Sequence, residues 1–154
     1  MNEKKVKKEW LSPCGLYCGV CGILIAHRDG NRKFKERLST VYNLPPEEIR
    51  CEGCNAAEDQ VFIYCRVCPF KACTREKGLE GCHQCPDWPC AHVEYFIMPV
   101  GKKVMLRAIP QWREWGTERW VEEEEKRYQC PDCGNLLFRG AKRCNRCGIP
   151  VDVD

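Results

Sequence analysis

The amino-acid sequence predicts a small, metal-stabilised, α-rich cysteine-rich domain followed by a β-hairpin zinc ribbon. Three observations carry that expectation. Fifteen of the 154 residues are cysteine, and most stand in C-x2-C pairs. Without the cysteines, the 44% hydrophobic share falls to roughly a third of the chain, short of the nearly half usual in globular domains. Between the pairs, apolar residues recur at helical spacing. A chain with so little apolar surface needs a metal or disulfides to hold a fold.

Metal is favoured over disulfides. The opening stretch MNEKKVKKEW is charged throughout, with neither the apolar core nor the cleavage site of a secretory signal. The longest nearly unbroken apolar run, Val20 to Ala26, is far short of the ~20 residues a membrane helix needs. The chain is therefore expected in the cytoplasm and away from the membrane, where thiols stay reduced and clustered cysteines read as metal ligands. The odd count of 15 would also leave a disulfide framework with one sulfur unpaired. The formal charge is +3, but ligating cysteines are thiolates, and fifteen of them with four Zn²⁺ would bring the total to about −4. Only local patches could then serve a nucleic-acid partner.

Six C-x2-C pairs run along the chain: Cys18/Cys21, Cys51/Cys54, Cys65/Cys68, Cys82/Cys85, Cys130/Cys133 and Cys144/Cys147. Cys14, Cys73 and Cys90 stand outside them. A two-residue gap lets the backbone turn around one tetrahedral ion. After the first cluster, GILIAHRDG and NRKFKERLSTVYN read as two short helices broken at Asp29-Gly30, with Phe34, Leu38 and Val41 on one face. Pro45-Pro46 stops one element, and Glu47-Glu48 suit the first turn of the next.

Residues 65–90 hold a repeated phrase, C-x2-C-P-x3-C, first at Cys65, Cys68 and Cys73 and again at Cys82, Cys85 and Cys90. Pro69 and Pro86 sit where a first helical position would be. Each third cysteine lies five residues on, a little over one helical turn. Each unit could give three ligands and take a fourth from Cys14, Cys18/Cys21 or Cys51/Cys54. The eleven cysteines of this region allow three sites with a histidine as twelfth ligand, His92 being best placed, or two four-sulfur sites with three spare thiols. His83 is expected to face solvent and His27 to lie half-exposed on a helix. Lys71 to Gly78 reads as a helix capped by Gly78.

From Val100, the residues Val104, Met105, Ala108, Ile109 and Trp112 form a helical stripe interrupted by Pro110. Trp112 to Tyr128 reads as a helical connector whose Trp112, Trp115 and Trp120 pack on the cysteine domain. Then come CPDCG and CNRCG, with ten residues between Cys133 and Cys144. Gly134 and Gly148 follow the second cysteine of each pair, where a positive φ closes the turn. Leu136 to Phe138 reads as a strand, which makes the ribbon. The expected division is a metal-binding domain over 1–113, a connector over 114–125 and the ribbon over 126–154.

Several zinc ions are the expected cofactors. Cys14-x3-Cys18-x2-Cys21 has the spacing that radical S-adenosylmethionine enzymes use for an iron–sulfur cluster, although the chain lacks the length of their barrel. An iron–sulfur cluster in the N-terminal domain is the competing cofactor. No phosphate loop, dinucleotide fingerprint or H-E-x-x-H motif occurs, and three histidines offer no catalytic triad. The expected role is therefore a non-enzymatic adaptor contacting a protein or nucleic acid. A thiol redox protein and a nucleic-acid-binding ribbon are the alternatives. Basic candidates for the latter are Lys102, Lys103, Arg107 and Arg113, and Arg139, Lys142, Arg143 and Arg146.

CGLYCGVC, CEGC and CRVCPFKACTREKGLEGCHQCPDWPC resemble the cysteine-rich domain-of-unknown-function family three-seven-nine-five over about residues 12–95. The tryptophan-bearing helix and terminal ribbon are similar to its longer members. The resemblance implies metal binding through Cys14, Cys18, Cys21, Cys51, Cys54, Cys65, Cys68, Cys73, Cys82, Cys85 and Cys90. It implies no reaction or substrate.

Overall fold

The computed structural model describes residues 5–154; the first four residues of the charged N-terminal stretch lie outside it. Six α-helices follow one another: α1 Gly22–Arg28, α2 Arg32–Tyr42, α3 Pro69–Glu76, α4 Ala91–Glu94, α5 Pro99–Trp115 and α6 Thr117–Arg127. The α-rich expectation holds.

Local chemistry explains the boundaries. The α1–α2 break falls at Asp29-Gly30, and the Asn31 side chain accepts the Phe34 N–H at 3.1 Å, capping α2. Phe34 is buried on the α2 face as expected, but Val41 is exposed; in that last turn Tyr42 packs inward instead, its ring 5.2 Å from that of Phe62. Pro69 opens α3 at a first helical position. Pro86 does not do the same: the helix after the second cysteine unit, α4, begins only at Ala91, beyond Cys90. The repeated phrase therefore folds in two different ways.

Helix α5 runs through Pro110, which sits on the exposed side, while Val104, Met105, Ala108, Ile109 and Trp112 are buried. Gly116, at φ +79°, breaks the expected single connector and turns α6 back along α5. Two contacts fix this helical hairpin. Trp112 stacks on Trp120 at 4.3 Å between ring centroids. Arg107 forms a two-pronged ion pair with Glu124, whose side chain is 2% exposed. Of the three tryptophans, Trp112 and Trp120 are fully buried; Trp115 is half-covered with the Arg119 guanidinium 5.2 Å above its ring. The apolar core continues from this hairpin into Tyr128, Leu137 and Ala141.

The C-terminal segment requires a correction to the fold class. Among the described residues no β-strand forms, so the β-hairpin ribbon is not present. Only isolated bridges occur, Gln129 with Leu136 and Arg143 with Pro150. Each bridge joins the two flanks of one cysteine turn rather than the two turns to each other. Of the expected strand, only the bridge of Leu136 with Gln129 forms, through Leu137 N–H to the Tyr128 carbonyl at 2.6 Å and Cys130 N–H to the Asn135 carbonyl at 2.8 Å; just beyond it the Arg139 N–H turns to the Val20 carbonyl at 2.8 Å. Leu137 is buried and the Phe138 ring lies 4.7 Å from that of Phe34. The segment thus keeps one local bridge and then docks on the helical core, so no ladder joins the two cysteine turns.

Candidate metal centres

Cys130, Cys133, Cys144 and Cys147 converge, their four sulfurs all within 4.8 Å of one another. Cys130 and Cys147 are 3.6 Å apart, Cys133 and Cys144 3.7 Å. A tetrahedral ion with Zn–S bonds of ~2.3 Å needs sulfurs about 3.8 Å apart. The local sequence makes this geometry: Gly134 and Gly148 take φ of +73° and +80°, and each returns its N–H to the first cysteine's carbonyl at 2.9 Å. The Arg146 N–H lies 3.4 Å from the Cys144 sulfur. The backbone N–H of Cys147, working against burial, and then that of Arg146 hold the Cys144 thiol down to about 6. Such a thiol is available as a thiolate ligand at neutral pH. The four-cysteine cluster can bind a metal.

The other eleven cysteines all lie in or around the helical core, but among the described residues no trio of them converges as the C-terminal group does. They fall into two neighbourhoods. In the first, Cys18 and Cys54 are in contact, with the Cys54 N–H 3.3 Å from the Cys18 sulfur. The Cys18 thiol hydrogen-bonds to Cys54 and holds Cys54 below the usual thiol range, while the same contact and burial raise Cys18. Cys21 packs beside both, and Cys51 and Cys65 flank Cys21 in the adjoining apolar cluster. Cys14 accepts or donates a hydrogen bond with Ser12 Oγ at 3.1 Å, and burial pushes its thiol up to about 12. Cys68 packs against the main core beside it.

In the second neighbourhood Cys73, Cys82, Cys85 and Cys90 line one cavity of about 190 Å³ under α3 and α4. Burial, then the surrounding thiols of Cys14, Cys90, Cys85 and Cys73, raise Cys82 to about 12. Cys73 therefore leaves the unit in which its spacing placed it and joins the three cysteines of the next.

Cations surround the sulfurs. Lys71 is buried and, with Arg75, favours the Cys54 thiolate. Lys77 Nζ stands 3.4 Å from the Cys85 sulfur and 3.1 Å from Asp87. Arg139 turns inward, donating to the Tyr17 carbonyl at 3.3 Å. Nearby positive charge of this kind compensates clustered thiolates. Arg113 donates to the His83 and Cys85 carbonyls at 2.8 and 3.0 Å, and so clamps the turn between Cys82 and Cys85.

The histidines separate. His27 pairs with Glu52 at 2.9 Å, on the surface as expected. His92 lines the cavity, with its ring 5.7 Å from Phe70. His83 does not simply face solvent: it stacks 3.7 Å above Trp112, its Nδ1 buried without a partner. Its burial, with Arg113 adjacent, lowers it to about 4, so it is neutral at neutral pH.

Lys77 and Trp88 are neighbours that sequence reasoning did not single out, and Arg139, offered there for nucleic acid, lies instead beside the sulfurs. For Lys77 and Trp88 a signal existed, their places in the CTREKG and CPDWPC phrases; for Arg139 none did, since only folding brings it to the sulfurs. No helix among the described residues is long and apolar enough to cross a membrane. No curated protein and no solved structure matches the chain. The family model described as "Protein of unknown function (DUF3795)" matches residues 10–95, more than half the chain and all eleven cysteines of the helical region. The chain belongs to the DUF3795 family.

Proposed function

We propose that this chain is a non-enzymatic interaction protein whose C-terminal cysteines hold one structural zinc ion. The observation that carries the zinc reading is the convergence of Cys130, Cys133, Cys144 and Cys147 with sulfur separations of 3.6 and 3.7 Å. Four protein thiolates complete the shell and leave no open position for a reacting water, the mark of a structural site. In this reading residues 1–113 and 126–154 carry separate metal centres, with 114–125 between them.

A protein partner is favoured over nucleic acid by the surface. Tyr95, Ile97 and Met98 stand exposed together between α4 and α5, with Ile97 at 90%. The basic residues offered for nucleic acid are partly spent: Arg107 is paired with Glu124, Arg113 holds the Cys82–Cys85 turn, and Arg139 faces inward. Lys142, Arg143 and Arg146 remain at the surface.

Zinc analysis and X-ray absorption on the purified full chain test the site. The expected result is one zinc bound by four sulfurs at ~2.3 Å, lost in Cys130→Ser and Cys144→Ser. Retention of that zinc in both variants would refute the assignment. A nucleic-acid titration at several salt concentrations tests the partner class: binding with a salt slope that Arg143→Ala and Arg146→Ala flatten would replace the protein-partner reading.

A further inference from the structure

The cavity formed by Cys73, Cys82, Cys85 and Cys90 differs from the C-terminal site in scale. In every trio of these sulfurs at least one pair lies farther apart than the 4.8 Å that bounds the C-terminal group. One tetrahedral ion cannot reach them all at ~2.3 Å, since that needs separations of about 3.8 Å. The cavity of about 190 Å³ has the volume of several waters at ~30 Å³ each, yet much of its wall is Phe70, Leu79, Trp88 and Ala91.

Two donors stand at the same wall. Trp88 lines the cavity, and its indole Nε1–H is buried without a hydrogen-bond partner. Buried donors are almost always satisfied, so this one calls for an acceptor that the polypeptide does not supply. Lys77 also lines the cavity and already donates toward the Cys85 sulfur. A group that needs four thiolates spread around it, fills a mostly apolar space and accepts N–H hydrogen bonds on sulfur is an iron–sulfur cubane.

We propose that Cys73, Cys82, Cys85 and Cys90 hold one [4Fe–4S] cluster, with Trp88 Nε1–H and Lys77 Nζ as hydrogen-bond donors to its sulfurs. This deepens the reading of the chain as a thiolate metal protein and is separable from the C-terminal zinc. The cluster spreads its iron over four corners, which suits sulfurs too far apart for a single ion. Cys73 and Cys90 are only half-buried, so the cluster would lie near the surface under α3 and α4.

The full chain, purified without oxygen, is analysed for iron, acid-labile sulfide and zinc, with electron paramagnetic resonance after reduction. About four iron and four sulfide per chain are expected to disappear in Cys82→Ser and in Cys90→Ser while the zinc stays. Cys130→Ser is expected to do the reverse, so failure of one centre is told apart from failure of the other. Lys77→Met, at a half-exposed position that should tolerate the change, keeps the iron but moves the midpoint potential to more negative values, because a positive donor near the cluster sulfur is gone. That variant decides the matter if the cysteine variants do not fold. A colourless anaerobic chain holding zinc alone, iron retained in both cysteine variants, or an unmoved potential in Lys77→Met would each overturn the proposal.

Discussion

Two groups of four cysteines in this molecule use similar sequence and reach different geometry. At the C-terminus, two C-x2-C-G turns face each other, and each is closed by hydrogen bonds within its own flanks. The sulfurs meet at the edge length of a single tetrahedron. Around the α3–α4 cavity, one C-x2-C turn is joined by a cysteine on α3 and another just ahead of α4. Those two are held by helices whose positions the core sets, and the sulfurs stand back from one another. Where local turns place every sulfur, the four meet at the spacing of a single ion; where helices place some of them, the group takes the width of the packing.

Metal removal should break the comparison most sharply. A structural zinc site contributes on the order of 10–16 kcal/mol of apparent binding free energy, more than a whole domain's net stability of about 5–15 kcal/mol. A chelator that strips the C-terminal site should therefore melt residues 126–154, read as lost amide-exchange protection there. Protection that survived zinc removal would show that the shared core alone can hold the segment.

The shared support can be tested next. Trp112→Ala removes a fully buried ring from the His83–Trp112–Trp120 stack and should cost about 3–5 kcal/mol. His83 belongs to the Cys82–Cys85 turn, so the variant should loosen the cavity cysteines first, seen as faster thiol alkylation there than at Cys144. Equal loss at both sites would mean that α5 supports the two groups alike.

Arg107→Leu leaves Glu124 buried without its partner and should destabilise by about 3–5 kcal/mol, measured by denaturant melting. It pulls on the α5–α6 hairpin that precedes the C-terminal turns, and here the order of loss should reverse. Joined with Trp112→Ala, it distinguishes the two faces of the same hairpin.

The smallest effect is a backbone one. Gly148 has φ +80°, and a Cβ added there meets nothing within 4 Å. Gly148→Ala should then cost only the left-handed strain, about 1–2 kcal/mol, seen as a lower zinc affinity with the helical region unchanged. A Gly78→Ala variant offers the matching control beside the cavity, since its φ is +67° and its surroundings are equally open.

Much of the helical outline was legible: the Asp29-Gly30 break, the buried stripe of α5 and the start of α3 at Pro69 all rest on local rules. The turns at Cys130 and Cys144 were legible for the same reason, because cysteine spacing and a following glycine act over five residues. The α6 turn-back at Gly116 was not, since a glycine between two tryptophans fits a continuous helix or a hairpin equally. The strand expected at Leu136 to Phe138 shortened to one bridge across its own cysteine turn, since Phe138 packs on Phe34, Leu137 enters the core and the next amide, that of Arg139, goes to Val20.

By itself the sequence determined that sulfur would be clustered, that helices would carry most of the chain and that apolar surface would be scarce, for these depend on composition and on neighbours a few residues apart. Only the tertiary structure decided which thiols stand together, that Cys73 joins Cys82, Cys85 and Cys90, and that Arg139 and Lys77 turn toward sulfur. Those choices depend on packing: the fold of the 73–90 segment sets Lys77 and Cys73 beside the later cysteines, the docking of the C-terminal segment on the core brings in Arg139, and no spacing along the chain encodes the distances between them.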